Sequence, residues 1–388
     1  MKGVAISLYD KFDDLAILVD TIRYNWESDV FISVCSNHPQ AESNIQAANI
    51  DIDQFQKGAQ IRYDNELSKS RGNNNLYLRI YDSIRTSCRP IIENTNVDYF
   101  THLHADAWQL TDSGFDTIIN EMKNKGADVS FPSETKTFHK DYPPGFIDDQ
   151  YIVFDNTAAR DVDLFERKPL EIPPMSIHLL LGMVLISKYG WDRLHQYTNG
   201  IERVHWDGLS SQNNPRPMFH NPDYDQLHVA TEDFGETLGK ELQAYYLSKY
   251  EVTEGENISR FLEEYKRPKG GLFRDLEAYF NSLSNQLPVG VSAKTFGRDV
   301  RPIRDYIEAD SAASRLKILT KQYHQNAFYP VVKGVYDTIQ RLIKFSRYGD
   351  QDYQHPDQAI NKIFREDLKK DDFPADMKKT YQKGFNDD

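Results

Sequence analysis

Cysteine is almost missing from this chain of 388 residues, which has 2, Cys35 and Cys88. Two thiols cannot build a disulfide-dense frame, so a buried core must hold the fold, and a reducing cytoplasm is the expected setting. Long apolar runs are missing too. The longest, Ile177 to Ile186, is interrupted by His178 and falls short of the ~20 residues that a bilayer-spanning helix needs. The opening M-K-G-V-A-I-S-L-Y-D turns acidic too soon for a secretory leader and has the pattern of a first strand. The expectation is a soluble protein, at most peripheral on a membrane. Positive charge is scarce: 46 basic residues face 59 acidic ones, for a formal charge of -13. No basic stripe offers to neutralise a nucleic-acid backbone, and any anionic ligand needs a local positive site or a metal.

What the chain does have is aromatic content, with 23 Tyr and 21 Phe, and length enough for one large or two ordinary domains. Val4 to Tyr9 is a short apolar run, followed by Leu15, Leu18, Val19, Ile22 and Trp26 at helical spacing, and then by a second run, Val30 to Cys35. Strand, helix, strand predicts a parallel pair with a right-handed crossover. Ala59 to Tyr63 suggests a third short strand. The Gly and Asn cluster of Ser68 to Asn75 predicts a loop before a helix from Leu76 to Arg85, and an Arg at such a helix start can receive phosphate oxygens. Thr111 to Lys125 is predicted helical, Ala127 to Phe131 extended, and Met175 to Tyr197 helical. Six prolines between Pro132 and Pro174 mark a loop-rich region. From Leu238 the strand signals stop, which predicts a domain over 1–237 and a helical C-terminal region over 238–388, its tail charged and partly mobile. The alternation of strand and helix before that boundary predicts an α/β layer fold.

The stretch V-D-Y-F-T-H-L-H-A-D-A-W-Q-L, Val97 to Leu110, carries the most chemistry. Alternation puts Phe100, His102, His104 and Asp106 on one face, with Tyr99, Thr101, Leu103 and Ala105 on the other. Two imidazoles and a carboxylate thus converge where the strand should end. In open α/β sheets that is where ligands bind and where a divalent cation finds O and N donors.

Taken together, V-A-I-S-L-Y-D, V-F-I-S-V-C-S-N, the Arg71-Gly-Asn-Asn-Asn loop and H-A-D resemble a GT-A-type, nucleotide-sugar-dependent glycosyltransferase of the family-2-like group. The resemblance covers the first domain and implies a Rossmann-like, mixed, mainly parallel sheet flanked by helices. It also implies transfer of a sugar from a nucleoside diphosphate to a glycan, lipid-linked or protein acceptor, as in polysaccharide biosynthesis. In that family a D-x-D motif binds Mn²⁺ or Mg²⁺ at the donor's phosphates. Here His104 replaces the first acid and Asp106 keeps the second, and a His from the end of the domain, His228 or else His220, is implied as a further metal ligand. Tyr9 and Asp10 would border the nucleoside and Arg71 the phosphates. Asp207, in H-W-D-G, would be the general base of an inverting reaction, with Glu232 and Asp233 competing for that role.

Two rivals share these residues. T-H-L-H-A-D resembles the H-x-H-x-D-H signature of metallo-β-lactamase-like hydrolases, although Ala107 stands where that signature has His. The other rival is a GT-A-like shell that binds glycans or a partner without turnover.

Overall fold

A computed structural model describes residues 1–59, 74–132, 147–168, 177–197, 218–229, 231, 236–296 and 300–323. Ten strands fall within them: β1 (Lys2–Leu8), β2 (Val30–Ser36), β3 (Gln54–Lys57), β4 (Tyr99–His104), β5 (Ala107–Gln109), β6 (Val129–Pro132), β7 (Ile152–Asp155), β8 (Leu194–Tyr197), β9 (Met218–Asn221) and β10 (Gln226–Val229). Seven form one sheet in the order β3-β2-β1-β4-β7-β6-β8, and β5, β10 and β9 form a second, antiparallel one. In the large sheet only β7 runs against its neighbours. This is the mixed, mainly parallel α/β layer expected from the sequence, and the described residues after it, 236–296 and 300–323, carry helices and no strand.

The central strand β1 is covered on both faces, which is why Val4, Ala5 and Ile6 form an unbroken apolar run with no exposure. On one face lies the helix Phe12–Asn25, whose Leu15, Leu18, Val19 and Ile22 are buried as their spacing predicts. The helix Asn74–Glu93 lies on the other. It runs past Arg85, the end expected from the sequence, because Ser87, Cys88 and Ile91 continue its buried face. Thr111 caps the helix Asp112–Lys125 by accepting from the Gly114 N–H, and Gly126 ends it in the left-handed conformation at φ 63°.

Two elements differ from expectation. An unexpected strand forms at Gln54–Lys57, ahead of the expected Ala59 to Tyr63, of which 60–63 lie outside the described residues. As an edge strand reading Q-F-Q-K it carries one apolar side chain, so periodicity gives it no signal. The predicted helix over Met175 to Tyr197 stops at Tyr189, where Gly190 adopts φ 79°, and Leu194–Tyr197 joins the sheet parallel to β6.

The helices Glu236–Lys249 and Glu256–Tyr265 share a core with the first helix, with Leu242, Leu247, Ile258 and Phe261 joining Leu15, Leu18 and Ile22. Asp20, buried inside the first helix, explains the attachment: its Oδ2 accepts from the backbone N–H of Asn257 at 2.7 Å and so caps the helix Glu256–Tyr265. The apolar stripe from Val332 to Ile343 and the charged tail lie outside the described residues.

Candidate functional site

β2 and β4 flank β1 on opposite sides and all three run parallel, so the gap beyond their carboxyl ends is the topological switch point of the sheet. Pairing continues one residue past β4, where the Ala105 N–H donates to Ser7 O at 3.2 Å. There the chain turns. The Trp108 indole N–H donates back to Ala105 O at 2.9 Å, and β5 leaves for the small sheet. In that sheet Ala107 pairs with His228, so the imidazole of β10 arrives beside the side chain of Asp106, with Nε2 3.3 Å from Oδ2. Lys11, just ahead of the first helix, reaches the same oxygen with Nζ at 2.5 Å.

Asp106 is largely buried. Burial alone would raise its pKa, but His228, then Lys11 and His104, outweigh it and hold the carboxyl well below the usual carboxylate range. Asp14, in the first turn of the first helix, moves the other way: burial first and the charge of Asp106 second push it up to about 6, while its Oδ1 accepts from Gln243 Nε2 at 2.9 Å. The cleft thus combines one firmly ionised carboxylate, an ammonium, an imidazole and a second acid poised near neutrality.

Behind Asp106 the remaining histidines of the strand meet the segment before β7. His102 is fully buried, with Nδ1 3.0 Å from Asp149 O and Nε2 3.0 Å from Ser7 Oγ. A carbonyl only accepts, so the proton sits on Nδ1 and Nε2 accepts from the serine. Burial pushes this imidazole down to about 3, which keeps it neutral. His104 behaves differently. Burial would lower it, but the Asp149 carboxylate, whose Oδ2 lies 3.3 Å from its Nε2, lifts it to about 9. That contact is one of charge, since Nε2 makes no aligned hydrogen bond. Asp149 in return stays below the usual range against the opposing effect of burial, and its neighbour Asp148 is pushed up to about 6 by burial and then by Asp149. His178, near the start of the helix Ile177–Tyr189, brings a ring nitrogen to the same place, so that donor atoms of Asp148, Asp149 and His178 all lie within 4.8 Å of one another.

Among the residues singled out in the sequence the structure brings Asp106 and His228 together, whereas the ring of His104 turns to Asp149. His220 is held elsewhere, its Nε2 2.7 Å from the Tyr250 hydroxyl and its pKa pushed down to about 4 by burial. Tyr9 is 49% exposed at the end of β1, edge-on to His38 at 5.2 Å, with the Arg79 guanidinium 5.9 Å from its ring centre. Asp10 beside it is exposed. Arg71, Asp207, Glu232 and Asp233 lie outside the described residues. Sequence reasoning missed Lys11, Asp14, Asp148, Asp149 and His178. The pair Asp148-Asp149 ahead of a strand is a visible signal, but the helix that meets it is not, and an Asp or Lys at a helix start is ordinary capping chemistry.

No protein-family model and no curated protein matches the sequence. Solved structures do match, at low similarity. A cytidylyltransferase from Leptospira borgpetersenii is 14% identical over 69% of this chain and 97% of its own, with a TM-score of 0.35. The mannosyltransferase PcManGT from Pyrobaculum calidifontis, solved with GDP-Man and Mn²⁺, is 8% identical over 84% of this chain and 86% of its own, at 0.33. Residues 1-349 of TarS from S. aureus are 9% identical over 85% of this chain and 91% of that one, at 0.31. Values this low do not establish a shared activity, and the chemistry has to be argued from the site.

Proposed function

We propose that the protein is a nucleotide-sugar-dependent glycosyltransferase, moving a sugar from a nucleoside diphosphate to a hydroxyl of a glycan, lipid-linked or protein acceptor, with inversion. One observation carries this reading: Asp106, a buried carboxylate kept ionised at the switch point of a parallel sheet, facing an imidazole and an ammonium. A departing diphosphate accumulates negative charge, and such a cleft is built to neutralise it.

The residues suit a divalent ion. A separation of 3.3 Å between Asp106 Oδ2 and His228 Nε2 is that of two adjacent ligands on one cation with bonds of about 2.1 Å. An O and N donor pair favours Mn²⁺ over Mg²⁺, which prefers oxygen alone. Bound there, the ion supplies charge neutralisation for the leaving diphosphate. His104 is the weakest member of the donor set, because it must release a proton to ligate and Asp149 holds that proton in place. Lys11 and the N-terminus of the first helix offer further positive charge to the phosphates. Tyr9 and Asp10 border the nucleoside from the end of β1, and Arg71 reaches the phosphates. Asp207 takes the proton of the attacking hydroxyl.

The hydrolase reading needs His102 as a metal ligand, and both of its ring nitrogens are already engaged by Asp149 O and Ser7 Oγ. Among the described residues no helix is long and apolar enough to cross a membrane. The test is a panel of nucleotide sugars assayed for Mn²⁺-dependent release of nucleoside diphosphate. The expected result is release with one donor class, abolished in Asp106→Ala. No release from any donor, together with no thermal stabilisation by nucleoside diphosphate plus Mn²⁺, overturns the assignment in favour of a non-catalytic shell.

A further inference from the structure

The second cluster of ionisable groups lies behind β4 and touches the site above only through the contact of Asp149 with His104. Two neighbouring carboxylates, Asp148 and Asp149, and the imidazole of His178 present donor atoms within 4.8 Å of one another. The two segments that carry them are tied by the backbone, since the Ile147 N–H donates to His178 O at 3.0 Å. We propose that Asp148, Asp149 and His178 form a site for a borderline divalent cation of the Mn²⁺ to Zn²⁺ kind, separate from the position at Asp106 and independent of the transferase reading.

The donor chemistry argues for it. Two carboxylate oxygens and one imidazole nitrogen are a three-ligand set that leaves further positions for water, the arrangement such ions accept. Asp149 is 6% exposed and Asp148 beside it is half-buried, and two adjacent carboxylates partly withdrawn from water repel each other unless positive charge is brought to them. Among the described residues His104 brings positive charge to Asp149 from one side. His104 Nε2 comes to 3.3 Å from Asp149 Oδ2, yet the atom is buried without an aligned hydrogen bond. An outer shell is already in place: the backbone carbonyl of Asp149 accepts from His102, whose other nitrogen is fixed by Ser7, and supports of this kind hold metal ligands in position. An ion here would clamp the segment before β7 to the helix Ile177–Tyr189 and steady Asp149 against His104, two residues from the cleft.

The site is tested on the full-length chain carrying Asp106→Ala, free of nucleotide, titrated with Mn²⁺ alone and followed by the paramagnetic resonance signal of free Mn²⁺. Zn²⁺ with a competing chelator serves as the second probe. The expected result is one ion bound per chain and a rise in Tm with metal. Adding Asp148→Asn, or in a separate protein His178→Gln, weakens binding by at least about tenfold and removes the rise in Tm. Both substitutions are near-isosteric, and circular dichroism of the metal-free proteins checks that each is folded. Absence of stoichiometric binding in Asp106→Ala, or binding unchanged by both additions, overturns the proposal. Donor turnover by the wild-type chain is a separate readout, so the failure of either reading is visible without the other.

Discussion

Asp106 Oδ2 and His228 Nε2 lie 3.3 Å apart across 122 residues of sequence. Neither residue sits in a strand of the large sheet. Asp106 follows β4 in a turn, and His228 is brought to it because β5, starting one residue later, pairs with β10. The small sheet therefore acts as the arm that carries a ligand to the edge of the large one, and Lys11 completes the group from the start of the first helix.

Replacing Asp106 by Asn keeps the shape and removes the charge. Nucleoside diphosphate release is expected to fall by about 100-fold or more, and stabilisation by nucleoside diphosphate plus Mn²⁺ to disappear. The fold survives, because the residue stands at a strand end, and Lys11, partly exposed, loses one of its charge partners at a cost of about 1 kcal/mol or less. Turnover assays, thermal shift and circular dichroism on the same preparation check the three parts. Wild-type turnover in Asp106→Asn would remove the carboxylate from the mechanism.

His104 gives the protein a pH-dependent stability. Its pKa rises from 6.5 to about 9 in the folded chain through Asp149, so between those values the folded state holds a proton that the unfolded state has released. The contribution is complete below pH 6.5 and is lost as pH rises toward 9, by at most on the order of 3 kcal/mol at about 1.4 kcal/mol per unit. Asp14 and Asp148, raised to about 6, act in the same direction but at lower pH, and the buried thiols only above the ordinary cysteine range. Urea midpoints measured from pH 6.5 to 8.5 are expected to decline in the wild type. In His104→Gln they are lower at the start and then flat to slightly rising, because His102 and His220, kept neutral by burial, gain stability as the unfolded chain loses its imidazole protons above pH 6.5. An equal decline in both proteins would place the titrating group elsewhere.

Much of this was legible in the residues. The runs at Val4 and Val30 and the helical spacing of Leu15 to Ile22 are strong patterns because these elements are buried in a layered fold. Strand alternation drew attention to His104 and Asp106, but it placed them on one face, and alternation fails at Asp106 itself, where the chain has already turned out of β4. The face predicted as one set therefore divides, with His102 and His104 facing Asp149 while Asp106 faces Lys11 and His228. What could not be read is long-range partnership. Nothing local in I-D-D-Q announces that a helix three tens of residues later will place His178 against it, and nothing in the first helix explains a buried Asp20 until the helix at Glu256 is seen to end on it.

That last contact makes a stability prediction. Asp20 Oδ2 receives the N–H of Asn257 at 2.7 Å, and its carboxylate lies at the positive end of the helix Glu256–Tyr265. Asp20→Ala is expected to cost about 1–3 kcal/mol, combining a lost cap with backbone donors left unpaired. Hydrogen exchange should quicken first in residues 256–265. Gly255→Ala should give a similar loss by another route, since φ is 111° there and an added Cβ would lie 2.5 Å from Asp20 Oδ2. Exchange that quickens evenly across the whole chain would mean that Asp20 supports the global core and not this helix.

Lys11 offers the sharpest test of how the cleft divides its charge. Its Nζ sits 2.5 Å from the oxygen of Asp106 that also faces His228, so in the absence of donor the ammonium and a divalent ion compete for one carboxylate. Lys11→Met removes that competitor and should tighten the binding of Mn²⁺ alone. The same change withdraws a positive charge from the phosphates and should raise the donor KM by about tenfold, the scale of one charged hydrogen bond. Metal affinity and donor affinity thus move in opposite directions, whereas a general loosening of the cleft would weaken both. Calorimetry with Mn²⁺, on proteins that also carry Asp148→Asn so that the Asp106 position alone is read, and steady-state kinetics with the donor found by the panel measure the two signs separately. Weaker binding of both would show that Lys11 holds the site together and does not occupy the ion's place.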